Sequence, residues 1–326
     1  MNKRSLYTIV IIVLLPLFSE GGLCQPFRPE ETHAGTVTQK VRPPAASGTF
    51  YPGSSRPLQE MVTSLLDSTP EISPEGEILA AIAPHAGYVY SGNIAACTHK
   101  ALSEVDFDTL VIIGHDTYRN AVALTCPVNY FQTPLGMVEV DREMIDRMHA
   151  FNQGIRDNYS LHSREHSIEI QLPFLQVLGR ECKIVPILFG DPTPGNCRIL
   201  SDAILAAANG KRVFVLASTD MSHYPPYELA RKVDHSTLAV LKTLDVKRLF
   251  SHLTENKELL STPGLQTAMC SRGGVGTAIF FARHEGADRV QVPGYANSGD
   301  AVSGDKNHVV GYSSVLIVNS GTGSSR

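Results

Sequence analysis

Three histidines stand in turn-forming segments that follow runs of Ile, Val, Leu and Ala. His85 follows the run ILAAIA, His115 follows TLVIIG, and His223 comes shortly after RVFVLAS. In an open α/β sheet, ligands bind at the carboxyl ends of the strands, because the loops converge there. Imidazole is also the commonest protein ligand for borderline metals. The spacing therefore predicts that the three rings share one cleft, whereas any one of them alone could be an ordinary polar loop residue.

Asp220 and His223 are three residues apart in the segment STDMSH. One helical turn or a tight loop places both side chains on the same side of the chain. A carboxylate in that position can orient an imidazole ring or tune its basicity. The pair is therefore a candidate for proton transfer.

Cys270 lies in MCSRGGVG, where a glycine-rich step leads into an apolar helix. A thiolate is stabilised near a helix start, where backbone N–H groups are exposed. The alternative is that Cys270 is a small buried hydrophobic residue. The spacing alone leaves both interpretations open.

The segment SREHSIEIQLPF, residues 163–174, is unusually rich in polar groups for a helix that also carries apolar residues. We predict a helix over 163–178 that Ser163 caps. His162 and His166 are four residues apart and could chelate a metal from one helix face, but capping and a salt-bridged face explain the same residues. His166 and Glu169 are expected to support the metal ligands rather than to bind metal.

The elements that must position these residues alternate between buried strands and amphipathic helices, which is typical of α/β proteins. We predict a single domain with a largely buried central mixed sheet flanked by helices. Strands are predicted at 78–83, 109–114, 122–127, 183–190 and 212–218 and in two late segments, RVQVPGY and HVVGYSSVLIV, and helices at 91–102, 141–151, 163–178, 198–209, 226–244 and 266–284.

The composition excludes several classes of protein. The 326 residues are 43% hydrophobic and 18% charged, with a formal net charge of -4, which excludes a disordered or collagen-like chain. No run of Lys and Arg supplies the basic face that nucleic-acid binders carry, so no nucleic-acid partner is expected. The 6 cysteines include no CxxC pair, so neither a disulfide scaffold nor a zinc ribbon is predicted.

The amino-terminal segment is predicted to direct export. Lys3 and Arg4 precede an apolar run, 7–18, and small residues follow it, as in a signal peptide. We predict a signal peptide over 1–24, a flexible lead-in over 25–40 and a disordered tail over 319–326. The mature chain would then be periplasmic or extracellular, with no membrane span. An uncleaved anchor or a lipidated Cys24 would attach it to a membrane.

Several motifs together resemble those of one known family, and the resemblance covers residues 41–318. The chain is similar to the Memo family, whose bacterial and archaeal members are labelled AmmeMemoRadiSam system protein B. The motifs are VRPPAASGTFYP, APHAGYVYSG, EHSIEIQLPFLQ, STDMSHY, and YANSGD with the later GDKNHVVGYSSVLI.

The resemblance implies a fold akin to class III extradiol dioxygenases and a metal site made of two histidines and a cysteine. Carried over by position, the implied ligands are His85, His115 and Cys270. His223 and Asp220 match the SxDxxH element of the family, in which the histidine resembles the acid/base histidine of the dioxygenases. The family cysteine replaces a carboxylate of those enzymes.

Imidazoles combined with a thiolate suit iron or copper, and zinc is possible. The first functional hypothesis is a non-haem-metal oxidoreductase, dioxygenase-like, acting on an unknown small aromatic or heteroaromatic substrate. The second is a non-catalytic metal-binding or scaffold protein that meets partner proteins of the AmmeMemoRadiSam system. The third is a zinc hydrolase with His223 as its base.

Overall fold

The computed structural model describes residues 40–302 and 304–321. The predicted apolar runs form strands, because strands buried on both faces read as continuous runs of apolar residues. The strands are β1 (Val41–Arg42), β2 (Glu77–Ala83), β3 (Thr109–Asp116), β4 (Ala123–Thr125), β5 (Tyr130–Thr133), β6 (Gly136–Glu139), β7 (Ile155–Asp157), β8 (Lys183–Phe189), β9 (Val213–Ser218), β10 (Arg289–Asn297) and β11 (Gly311–Asn319).

Among the described residues, eight strands form the main sheet in the order β10-β11-β2-β9-β3-β8-β4-β7. The central strands β2, β9, β3 and β8 are parallel to one another. The β10–β11, β11–β2 and β4–β8 pairs are antiparallel, so the sheet is mixed, as predicted. A smaller sheet has the order β1-β5-β6.

Helices connect and cover the strands. The helix that begins at Pro194 shows a typical start: Thr193 Oγ1 accepts the N–H of Asn196 at 3.1 Å, and proline occupies the first turn. The helices are α1 (Ser55–Ser68), α2 (Tyr88–Leu102), α3 (Arg142–Phe151), α4 (Tyr159–His162), α5 (Leu172–Val177), α6 (Pro194–Ala208), α7 (Tyr227–Leu241), α8 (Val246–Glu255), α9 (Lys257–Leu260) and α10 (Arg272–His284), with 3-10 turns at Glu169–Gln171 and Ser298–Asp300.

The helices lie on both faces of the sheet, which confirms the predicted α/β domain. The crossover from β2 to β3 through α2 and the crossover from β8 to β9 through α6 run in opposite directions along the sheet. Because such crossovers are right-handed, α2 and α6 lie on opposite faces. Helix α2 packs on β2, β10 and β11, and α10 packs against α6 and the strands β2, β3 and β9.

The predicted helix over 163–178 is wrong for its first third. Residues 163–168 form a turn, and Ser163 donates its hydroxyl to Ser160 O instead of capping a helix. Glu165 Oε2 accepts both the hydroxyl of Ser167 and the N–H of Ile168, at 2.8 and 3.1 Å, so this carboxylate fixes the turn. We call residues 162–168 the histidine loop.

The predicted signal peptide, most of the lead-in and most of the tail lie outside the described residues. Among the residues that are described, no helix is both long and apolar enough to cross a membrane.

Candidate metal centre

His85 occupies the turn between β2 and α2. Its side chain is buried, and its backbone N–H donates to Asp220 Oδ1 at 2.7 Å. Asp220 follows β9, which is the strand next to β2. The bond therefore joins two strand ends at the carboxyl edge of the sheet, where the sequence predicted a cleft.

Three histidine rings meet at this edge. His115 is the next-to-last residue of strand β3, and His166 comes from the histidine loop. One ring nitrogen from each of His85, His115 and His166 lies within 4.8 Å of the other two. The ring centroids are 4.4 Å apart for His85 and His115, 4.9 Å for His115 and His166, and 5.5 Å for His85 and His166. We call these residues the histidine cluster.

Hydrogen bonds fix which nitrogen of His85 carries its proton. Ser218 donates its only hydroxyl proton to Ser167 O at 2.6 Å. Ser218 Oγ must therefore accept its other bonds, which come from Gln171 Nε2 at 2.9 Å and His85 Nδ1 at 3.1 Å. With the proton on Nδ1, Nε2 of neutral His85 has a free lone pair. Nε2 is the nitrogen that faces Cys270.

Cys270 lies beside the histidine cluster, with Sγ 3.3 Å from His85 Nε2. The backbone N–H of Asp220 also donates to the sulfur, at 3.2 Å. Burial alone would raise the pKa of this thiol. The charge of His85 and hydrogen bonds with the rings of His115 and His223 outweigh burial and hold the pKa well below its ordinary value. These contacts therefore favour the thiolate form of a sulfur that lies next to the imidazoles.

The charges of this group shift the pKa of its histidines in opposite directions. Burial favours neutral His85, but the Cys270 thiolate and Asp220 raise its pKa to about 9. For His166, burial and the neighbouring rings of His85 and His115 lower the pKa to about 3. His166 is therefore neutral near pH 7, which is the form in which imidazole binds metal.

His223 and Asp220 flank the cluster. His223 is held by its N–H bond to Thr267 O at 2.9 Å, and its ring Nε2 is buried without a hydrogen-bond partner among the described residues. The carboxylate of Asp220 bonds to the backbone of His85, and burial raises its pKa. The orienting role of Asp220 toward His223 stays a prediction.

Asp116 is a further acidic group at the site that sequence analysis did not assign. It follows His115 directly and accepts the N–H of Gly273, at the start of α10, at 3.1 Å. Burial, together with the nearby Cys270 thiolate, raises its pKa to about 8. Ser218 and Gln171 were also not assigned. Ser218 stands at the end of a predicted strand and Gln171 lies in the polar segment, and these positions were the only sequence signals for their role.

The two remaining candidates lie away from the cluster. His162 donates Nε2–H to Leu124 O at 2.9 Å, so it does not chelate metal together with His166. Glu169 points away from the cluster, toward the buried Arg42. His166, predicted to support the ligands, instead supplies one of the three converging rings.

A buried histidine behind the site gives a pH prediction. His99 donates Nε2–H to Gln171 Oε1 at 2.8 Å, and its Nδ1 is buried without a partner among the described residues. Burial therefore lowers its pKa from 6.5 to about 4. Between these values the unfolded chain binds more protons than the folded one, so the free energy of unfolding falls as the pH falls.

We expect the pH dependence of metal-free His99→Gln to be shallower than that of wild type. On going from about pH 7.5 to about pH 5, wild type should lose roughly 2 kcal/mol more than the variant. Urea unfolding of both proteins at both pH values measures this difference. Groups other than residue 99 titrate alike in the two proteins, so their contributions cancel in the difference between the two losses. Equal losses in both proteins would contradict the prediction.

The donor set fits a transition metal. Imidazole nitrogens and a thiolate suit zinc, copper and iron, and His85 Nε2, which faces Cys270, would offer its lone pair once a metal displaces its proton. His85, His115, His166 and Cys270 supply four candidate donors. The hydrogen bond from His85 Nδ1 to Ser218 Oγ is the kind of support that metal-binding histidines usually have.

Comparisons with known proteins identify the family of the chain. The family described as Memo-like protein matches residues 42–316. Proteins titled MEMO1 family protein are 36% identical in Ignicoccus hospitalis, over 84% of this chain and 98% of the relative, and 35% identical in Methanosarcina acetivorans, over 85% and 99%. The one in Archaeoglobus fulgidus is 34% identical, over 85% of this chain and 99% of the relative.

A solved structure shares the fold at low identity. It is the crystal structure of the uncharacterized protein JW3007 from Escherichia coli K12, with a TM-score of 0.50 and 10% identity, covering 74% of this chain and 100% of that one. The family match covers most of the chain and includes every residue of the histidine cluster and Cys270. The chain therefore belongs to the Memo-like family.

Proposed function

We propose that this protein binds a redox-active non-haem metal, iron or copper, and acts as a dioxygenase-like oxidoreductase on an unknown small substrate. The observation that carries the proposal is the convergence of three histidine nitrogens within 4.8 Å, next to a thiolate 3.3 Å from His85 Nε2. A thiolate among imidazoles favours metals that accept soft ligands.

His85, His115 and Cys270 would hold the metal, and His166 adds a fourth candidate donor. The bound metal would supply redox chemistry. His223, whose Nε2 has no partner among the described residues, would move a proton at that nitrogen. The neighbouring Asp220 holds the backbone of His85 and would set the local charge.

Metal analysis and oxygen uptake test the proposal. Protein isolated without added metal should carry iron or copper, and the reduced form should consume oxygen in a screen of small aromatic compounds. Protein that carries metal but never consumes oxygen would favour a non-catalytic role in metal binding or as a scaffold for partner proteins of the AmmeMemoRadiSam system. Protein that carries zinc and hydrolyses esters or amides would favour a zinc hydrolase.

We also propose that the chain is exported, on the basis of Lys3, Arg4 and the apolar run at 7–18. Mass spectrometry of the amino terminus checks this. A mature chain that still begins at Met1 in the cytoplasm would contradict it, and an acylated Cys24 would indicate membrane attachment.

A further inference from the structure

A buried arginine joins the start of the domain to the histidine loop. The side chain of Arg42 has no exposed surface, and its guanidinium lies 5.0 Å from the centre of the Phe131 ring. Arg42 Nε donates to His162 O at 2.9 Å, and one Nη donates to Glu165 O. The planar fork of guanidinium suits such paired acceptors. Arg42 therefore holds the histidine loop by its backbone on the amino-terminal side of His166.

The charge of Arg42 is balanced by Glu169, which lies just beyond the loop and is also fully buried. Besides Arg42, the Glu169 carboxylate accepts the N–H groups of Ala45 and Ala46 at 2.7 and 2.9 Å, and the hydroxyl of Tyr51. A carboxylate with this many donors is firmly fixed. It pins both ends of the turn that carries residues 45–51.

That turn delivers an aromatic ring to the histidine cluster. Phe50 stacks on His166, with centroids 4.3 Å apart and planes 28° apart. The carbonyl of Phe50 also accepts the N–H of Tyr88 at 2.8 Å, at the start of α2, three residues after His85. One face of the His166 ring is therefore set by a turn that Glu169 holds.

The same contacts continue to the other two histidines. Glu165, whose carbonyl Arg42 binds, accepts the hydroxyl of Ser167 at 2.8 Å, and Ser167 Oγ accepts the backbone N–H of His115 at 3.1 Å. The carbonyl of Ser167 accepts the hydroxyl proton of Ser218, and the oxygen of that hydroxyl accepts the Nδ1–H of His85. A methyl group on Gly114 would approach Ser167 Oγ to 2.1 Å, so Ser167 can occupy this position only because residue 114 has no side chain.

Buried ion pairs cost desolvation free energy, and replacing one with apolar residues is often neutral for stability. Stability alone is therefore a weak reason for this arrangement. Its partners are instead the backbone and side chains that hold each of the three rings. The contacts favour a role in setting the geometry of the site.

We propose that Arg42 and Glu169 are positioning residues for the histidine cluster, acting through the Phe50 turn and through the Glu165–Ser167–Ser218 hydrogen bonds. This inference rests on the proposed metal-binding function. Neither residue touches the metal donors. Their loss should leave all four donors present but misplaced.

The test compares Glu169→Gln and Arg42→Lys with a control, Asp141→Asn. Asp141 is also a buried carboxylate, paired with Lys211 at 2.7 Å, but it contacts Thr109 at the opposite end of β3 from His115. Cobalt(II) is titrated into metal-free protein and its visible spectrum recorded. Glu169→Gln should weaken cobalt binding by roughly 10- to 100-fold and alter the spectrum. Arg42→Lys should do the same to a smaller extent, and Asp141→Asn should match wild type.

A second measurement needs no metal. In metal-free protein labelled at histidine, the stacked Phe50 ring should shift the ring signals of His166 upfield. Phe50→Leu and Glu169→Gln should both remove this shift, and Asp141→Asn should keep it. If wild type binds no cobalt, the proposed function fails, and the His166 signal alone decides whether the positioning role holds. If Glu169→Gln does not fold, Arg42→Lys and Phe50→Leu decide in its place.

Wild-type cobalt affinity, together with a His166 signal that keeps its wild-type upfield shift in folded Glu169→Gln, would overturn the inference. Equal changes in Asp141→Asn would also overturn it, since the effect would then follow from general destabilisation.

Discussion

His85→Ala and Cys270→Ser should each lose most of the bound metal, whereas His223→Ala should keep it. Alanine removes the imidazole lone pair that faces the cluster, and serine replaces a soft, anionic donor by a neutral hydroxyl. His223→Ala removes only the ring that would transfer a proton. Any turnover should then fall by about 10²- to 10⁴-fold.

The metal-to-protein ratio after dialysis measures the first effect, and oxygen uptake measures the second. His115→Ala and His166→Ala, measured in the same way, show which of the two rings completes the donor set. The exposed His235, changed to alanine, is the matched control and should keep its metal. If His223→Ala loses metal as completely as His85→Ala, then His223 is a ligand, and the proposed division of roles is wrong.

The rate at which Cys270 reacts with iodoacetamide in metal-free protein should rise far less between about pH 6 and about pH 8 than the rate of an ordinary thiol. The charge of His85 and hydrogen bonds with the rings of His115 and His223 hold the pKa of Cys270 well below the ordinary value, so a larger share of this thiol is ionised at the lower pH than in an ordinary cysteine. An ordinary thiol, with a pKa near 8.5, would react roughly 100-fold more slowly at the lower pH. Peptide mass spectrometry of a time course measures the rate at Cys270 alone.

Two comparisons separate the cause from simple accessibility. His85→Gln removes the positive charge, so the rate at Cys270 should regain a strong rise with pH. Cys97 and Cys126 are internal controls, because burial raises the pKa of both thiols, to about 12 for Cys126. A wild-type rate that rises tenfold per pH unit would show that Cys270 is an ordinary thiol.

The sequence predicted the fold best where burial leaves the clearest pattern. Both ends of each of the four central strands were predicted to within two residues, because each strand is covered on both faces and is continuously apolar. The short strands β5 and β6 were not predicted, since four residues with one buried face carry little periodicity. Helix α10 begins at Arg272 rather than at 266, because the preceding residues run alongside residues 220–223, which follow β9, and carry Cys270 to the cluster.

The candidate site was predictable in its strand-end residues and unpredictable in its loop residues. His85, His115 and Asp220 follow neighbouring parallel strands, so the topology brings them together once the strands are known. His166 comes from a loop whose path depends on the buried carboxylate of Glu165 and on Arg42. Arg42 lies 123 residues before Glu165 in the sequence. Helical spacing in the polar segment could not reveal that path.

The distances along the chain between the metal donors also determine when the site can form. His85 and Cys270 are separated by 185 residues, and no short stretch of the chain carries three of the donors. A metal ion therefore cannot organise a local piece of this chain, as zinc does in a zinc finger. An ion bound by these four donors would have to enter after the parallel strands have assembled, and non-local pairing of that kind forms slowly. Metal uptake should therefore follow folding, so that bound metal reports that the sheet is complete.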